Sequence, residues 1–163
     1  MERHSRPIRA KKSEFQDKAL EIRRVTRVVA GGKRFSFRAT VVVGDMKGKV
    51  GVGIAKGLDV AAAVEKAKRQ AQKDFVRVPL KDQRTIAHDV EAKYSAAKIR
   101  IKPAPKNHGL IAGGASRVVL ELAGVKDVSA KILGRTTNKL TNAMATLEAL
   151  RMLETEHREA QSE

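Results

Sequence analysis

Cysteine and tryptophan are absent from this 163-residue chain, and it has a single tyrosine. Without cysteine there is no disulfide staple, no cysteine zinc knuckle and no thiol catalysis. Aromatic residues make up 3% of the chain, so any core is built from Val, Ile, Leu and Ala, and each packed unit must be thin. Acidic residues are scarce too: 18 Asp plus Glu stand against 34 Lys plus Arg, a formal net charge of +16. No segment is long and apolar enough to span a membrane, and the start of the chain lacks the apolar centre of a signal peptide. The opening MERHSRPIRAKKS contains Glu2 and reads as a flexible basic tail rather than a transit peptide.

Hydrophobic residues amount to 42%, enough to bury a core. A surplus of +16 in a chain this short repels itself unless a polyanion neutralises it. Nucleic acid fits, because each phosphate neutralised also releases a condensed counterion. A membrane surface would need a basic amphipathic helix or an apolar anchor, and the sequence offers neither. Solubility alone is served by a few units of charge. The excess is uneven: residues 1–78 carry a net +12, residues 79–153 a net +7 and residues 154–163 a net −3.

Strand alternation is clearest from Arg34 to Val43. Phe35, Phe37, Ala39, Val41 and Val43 share one face, and Arg34, Ser36, Arg38 and Thr40 the other. Gly31 and Gly32 separate this run from the β-branched stretch before it, which predicts a hairpin. After a turn at residues 44–48, Val50, Val52 and Ile54 are expected inward, with Gly51, Gly53 and Ala55 leaving the other face bare. Asp59 is the expected N-cap of a helix that packs Val60, Val64, Ala67, Ala71 and Phe75 on the sheet. Residues 15–78 thus read as three antiparallel strands and one helix on one face of an open sheet.

Residues 79–153 read as a second unit of strand, strand, helix, strand and helix. Its strands include Ile86, His88 and Val90, then Ile99 and Ile101, then Val128, Ala130 and Ile132. Its helices are Ala115 to Ala123, stopped by Gly124, and a last one carrying Leu140, Met144, Leu147 and Leu150. The fold class is α+β in two small domains, flanked by a basic tail (1–14) and an acidic tail (154–163).

Catalytic patterns are missing. The glycines of GDMKGKVGVGIAKG match neither GxxxxGK[ST] nor GxGxxG, and they sit in a strand, where they admit a neighbouring backbone. His4, His88, His108 and His157 lack partners at metal-ligand spacing. His88 is expected half-buried on a strand, and His108 open in a loop. No enzyme activity, cofactor, metal or small-molecule substrate is expected.

The sharper feature is VVAGGKRFSF. Gly31 and Gly32 let a backbone approach a phosphate, Lys33 and Arg34 put charge at the tip, and Phe35 is expected in the core rather than stacked on a base. Arg24, Arg27, Arg38, Lys47, Lys49 and Lys56 complete the basic set on the strands and turns. Lys66, Arg69 and Lys73 form a stripe on the helix. These are the candidate RNA contacts.

The run RVVAGGKRFSFRATVVVGDMKGKVGVGIAKGLDVAAAVEKA resembles the small-subunit ribosomal protein five family, and KIRIKPAPKNHGLIAGGASRVVLELAGVKDVSAKILG resembles that family's C-terminal half. The resemblance implies a double-stranded-RNA-binding-like first domain and a second with a left-handed β-α-β crossover. It also implies a cytoplasmic place in the ribosome, bound to small-subunit ribosomal RNA beside the fourth and eighth small-subunit proteins. Messenger RNA would lie nearby, and decoding accuracy would depend on the contact. Gly109, Gly113 and Arg117 are the expected protein interface, Arg117 because a cation in the first turn of a helix opposes its dipole unless an acid meets it. Ala30, Asn107 and Lys139 depart from the family's pattern. The alternative is a double-stranded-RNA-binding module outside the ribosome.

Overall fold

A computed structural model describes residues 14–160, with side chains through Leu153. The expected basic tail lies outside the described residues except for Glu14, as do the last three residues of the acidic end.

The first sheet starts with β1 (Gln16–Val29) and β2 (Gly32–Gly44), paired antiparallel with Val29 opposite Gly32. The turn is therefore Ala30-Gly31, one residue earlier than expected. Gly32 instead opens β2 with φ +139°, a backbone region that side chains disfavour. β3 (Lys49–Gly57) pairs with β2, and β4 (Val76–Arg77) pairs with β3. The sheet has four strands in the order β1-β2-β3-β4 rather than three. A two-residue strand has no periodicity to read.

Helix α1 (Val60–Lys73) covers the glycine face of β3, not its valine face. A Cβ on Gly51 or Gly53 would collide with the carbonyl oxygens of Ala71 and Ala67. Small residues on both partners bring helix and sheet together: Ala63, Ala67 and Ala71 are fully buried against Ala39, Val41 and Val43. Val60 stays outside this contact, and Phe75, beyond the helix, stacks on Phe15 with centroids 5.1 Å apart. Asp59 is the N-cap, but its side chain makes no capping bond; its carbonyl accepts from the Ala63 N–H at 3.0 Å.

Val50 and Val52 point the opposite way, into a core supplied by the second half. That half contains β5 (Val90–Tyr94), β6 (Ala97–Pro103), β7 (Leu110–Ile111), α2 (Gly114–Ala123), β8 (Val128–Ile132) and α3 (Lys139–Ala160). Its sheet has the order β5-β6-β8-β7, with β7 parallel to β8 and α2 as the crossover between them. The strand expected around Ile86–Val90 begins only at Val90. Ile86 is fully buried in the connection, and His88 is exposed in a bend rather than half-buried on a strand. At the end of α2, Gly124 takes φ +84° and its N–H reaches the carbonyls of Leu120 and Glu121, the expected glycine stop.

One core joins the two halves. Val42, Val50, Val52 and Val76 of the first sheet lie in the same buried cluster as Ile99, Ile101, Leu120 and Leu150 of the second unit. The first sheet is thus covered on both faces, not one. Backbone bonds clamp the seam: the Met46 N–H donates to Leu122 O at 3.0 Å and the Gly48 N–H to Ala123 O at 2.9 Å. The α+β class holds, and the two units share their interior.

Candidate nucleic-acid interface

Beyond the reach of the second half, β1 and β2 continue as a hairpin whose faces follow from the register. Arg27 lies opposite Arg34, and Arg23 lies opposite Arg38, which in turn faces Lys56 on β3. Arg38 shares its side of β2 with Thr40 and Val42, so this row lies on the face away from α1. Like charges directly across a strand pair repel and destabilise a sheet. Among the described residues Glu21, bonded to Arg23 at 2.8 Å, relieves only one of them. The five cations stand on one face in two groups, Arg27 with Arg34 and Arg23 with Arg38 and Lys56, separated by Val25 and Ser36, on a surface that can meet crowded phosphates.

The other expected contacts are distributed rather than gathered. On the α1 side of the hairpin, the Arg24 guanidinium lies 3.7 Å above the ring of Phe35, which is half exposed rather than in the core. Phe37, two residues on, supplies the packing instead. Lys33 follows the Ala30-Gly31 turn, where a Cβ on Gly31 or Gly32 meets nothing within 4 Å. The turn after β2 is organised by Asp45, whose Oδ1 accepts from the backbone N–H of Lys47 at 2.7 Å and of Lys49 at 2.9 Å. On α1, Lys66, Arg69 and Lys73 are exposed, with Arg69 bound to Glu65 at 2.7 Å. Lys68 ties the helix to Asp17 of β1 at 2.9 Å. The helix stripe and the hairpin row occupy opposite sides of the sheet. Arg23 was missing from the expected set, and period-two alternation from Arg27 could have found it.

The loop before α2 forms a second, differently built site. Asp127 is buried, and Arg84 Nε donates to its Oδ2 at 2.7 Å while the Gly109 N–H donates to its Oδ1 at 2.9 Å. The Arg84 hydrogen bond, and then the backbone bond from Gly109, hold the Asp127 carboxyl below its ordinary value. Arg84 Nη2 also reaches Oδ1 of Asn107 at 3.2 Å. Asn107 takes φ +69°, a conformation open to glycine and tolerated by asparagine, and this bends the loop. Gly109 takes φ +80° with open space around it, and Gly113 is the N-cap of α2. Arg117, fourth residue of that helix, is exposed, and the first turn contains no acidic residue. Lys139 donates to the carbonyl of Leu20 at 3.4 Å, where β1 is bulged.

Among the described residues no cluster of His, Asp and Glu could hold a metal ion, and no helix is long and apolar enough to cross a membrane.

Residues 15–79 match ribosomal protein S5, N-terminal domain, and residues 92–163 match ribosomal protein S5, C-terminal domain. Small ribosomal subunit protein uS5 of Synechococcus elongatus is 51% identical over 152 residues, 93% of this chain and 84% of the relative. Small ribosomal subunit protein uS5c of Rhodomonas salina is 45% identical over 153 residues, 94% of this chain and 90% of the relative. The uS5 protein of Nostoc punctiforme is 47% identical over 156 residues, 94% of this chain and 89% of the relative. With both halves matched in order, and relatives this similar along nearly their whole length, the chain belongs to the ribosomal protein S5 family.

Proposed function

We propose that this chain is a structural, non-catalytic constituent of the small ribosomal subunit and that it holds ribosomal RNA on the hairpin face away from α1. The carrying observation is the run of opposed like charges, Arg27 with Arg34 and Arg23 with Arg38 and Lys56. Such an arrangement is unfavourable in isolation and becomes favourable once phosphates lie across it. The distributed cations, Arg24, Lys33, Lys47, Lys49, Lys66, Arg69 and Lys73, add sequence-independent attraction around it. Lys and Arg neutralise phosphate, while the shared core fixes the spacing of the RNA elements they touch.

Replacing Arg27 and Arg34 together with Ala tests this reading. The full-length variant should keep its fold and bind a small-subunit ribosomal RNA transcript more weakly. Its salt dependence should be shallower by roughly 0.7–0.9 log units for each phosphate that is no longer neutralised. Unchanged affinity and slope would remove the hairpin from the RNA-binding surface.

The pinned loop from Asn107 to Arg117 faces, in this reading, the fourth small-subunit protein, with the eighth protein and the path of messenger RNA nearby. Arg117 supports it: an exposed cation near a helix start opposes the dipole by about 0.3–1 kcal/mol, and a partner's carboxylate would offset that. Arg117→Ser, or a bulky residue at the left-handed Gly109, should raise misreading without blocking assembly. Miscoding reporters on ribosomes with normal incorporation of the variant read this directly; unaltered accuracy contradicts it.

A further inference from the structure

The second sheet has its own bare face. Its inner side packs on α2 and α3 through Val90, Ala92, Ile99, Ile101, Val128 and Ala130. By alternation its outer side presents Lys93, Lys98, Arg100, Lys102 and Lys131, all exposed. Two like-charge pairs again lie directly across the ladder: Lys93 opposite Lys98, and Arg100 opposite Lys131. The acids beside them are Glu91, paired with Lys98, and Asp89, which takes Arg100 at 2.8 Å and Lys102 at 3.7 Å. Among the described residues Lys93 and Lys131 have no ion-pair partner.

From this register we infer that the outer face of the second sheet is a second phosphate-binding surface, which grips the sugar-phosphate backbone of RNA. The inference rests on the RNA-binding reading of the hairpin and extends it to a part of the chain remote from the hairpin and α1. Four of the five cations are lysines, which bind phosphate as point charges and are depleted from protein–protein interface cores. The one tyrosine, Tyr94, pairs with buried Ala97 and so belongs to the inner side, leaving the outer face no ring on which a base could stack. Lys98, Arg100 and Lys102 recur every second residue along β6, a file about 6.7 Å apart. The surface therefore fits charge repeated along a backbone and reads no sequence. The same violation of cross-strand pairing marks the hairpin and this face, and in both a polyanion resolves it.

The two cations without ion pairs make the cleanest test, because their removal orphans no acid. The full-length chain carrying Lys93→Gln and Lys131→Gln is titrated with a small-subunit ribosomal RNA transcript at several salt concentrations. Its slope of log affinity against log salt should be shallower than wild type by roughly 1.4–1.8, two phosphates' worth, with thermal unfolding undiminished. Lys93→Arg with Lys131→Arg should restore the slope; if it does not, the loss is structural and the inference falls. A wild-type slope in the Gln variant also overturns it, and subunits that then lack a neighbouring protein would reassign the face to an acidic protein partner. The Arg27→Ala, Arg34→Ala variant run alongside separates the failures. If it too is unchanged, the RNA-binding reading of the hairpin falls along with this one, and if it alone is altered, only this second surface is wrong.

Discussion

Asp127 is a single carboxylate on which two distant segments depend. It fixes Arg84, 43 residues earlier, and the Gly109 N–H, 18 residues earlier, so the loop before α2 is held by charge and backbone together. Its folded pKa lies below the ordinary Asp value, with the Arg84 bond as the main cause. A depressed carboxylate stabilises the fold fully above the unfolded value of about 3.9, and that contribution disappears as pH falls through the lower folded value. Asp127→Asn should therefore lower the melting temperature at neutral pH and flatten its dependence on pH in the acid range below about 4. Thermal unfolding by circular dichroism between pH 7 and pH 2 measures both; a parallel acid profile in the variant would contradict the linkage. None of this was legible in the sequence, where Asp127 reads as an ordinary acid next to a lysine. A carboxylate's partners across such separations are set by the fold. Asn107 and Lys139 were singled out in the sequence as expected departures, but the left-handed φ of one and the bond of the other to the Leu20 carbonyl are set by the fold.

At the scale of elements, the glycines of β3 act through what they omit. Gly53→Ala drives a Cβ into the Ala67 carbonyl and the next turn of α1, which rigid backbone cannot readily relieve. The expected loss is roughly 1–3 kcal/mol or more, the range of overpacking, read as a lower denaturant midpoint at constant m. Gly31→Ala is the matched control: its Cβ meets nothing and its φ is not left-handed, so stability should hold or rise by about 0.4–1 kcal/mol. Equal effects at the two positions would show that close helix approach is not what β3 requires. The alternation of β2, the glycine stop of α2 and the order of the longer strands and helices were written in the local sequence, but the two-residue strands β4 and β7 were not. Which face of β3 would receive α1 was not, because valine and glycine faces both invite packing: one supplies area and the other supplies proximity. Phe35 misled for a related reason. Alternation correctly placed it on the side of Phe37, but the helix ends before the hairpin does, and Arg24 covers its ring instead.

The whole molecule behaves as one cooperative body if the shared core means what its packing implies. Two family domains, matched separately at 15–79 and 92–163, bury their side chains in a single cluster. Residues 1–78 alone would uncover Val42, Val50, Val52 and Val76 to water, so the full chain is the proper subject of every binding test. Leu120 of α2 is fully buried and sits beside the seam, next to the Leu122 and Ala123 carbonyls that clamp the turn after β2. Truncating a buried leucine costs about 2–5 kcal/mol, including the cavity it leaves. If the halves were independent, Leu120→Ala would destabilise only the second. With one core it should lower the stability of both by the same amount, since neither can unfold while the other stays intact. Tyr94, the only tyrosine, reports on β5 by fluorescence, and amide exchange along β2 reports on the first sheet. The two transitions should coincide in wild type and shift together in Leu120→Ala. Protection that persists in β2 after the Tyr94 signal has gone would mean two separable domains, and the spacing between the two basic faces would then be set by a hinge and not by a core.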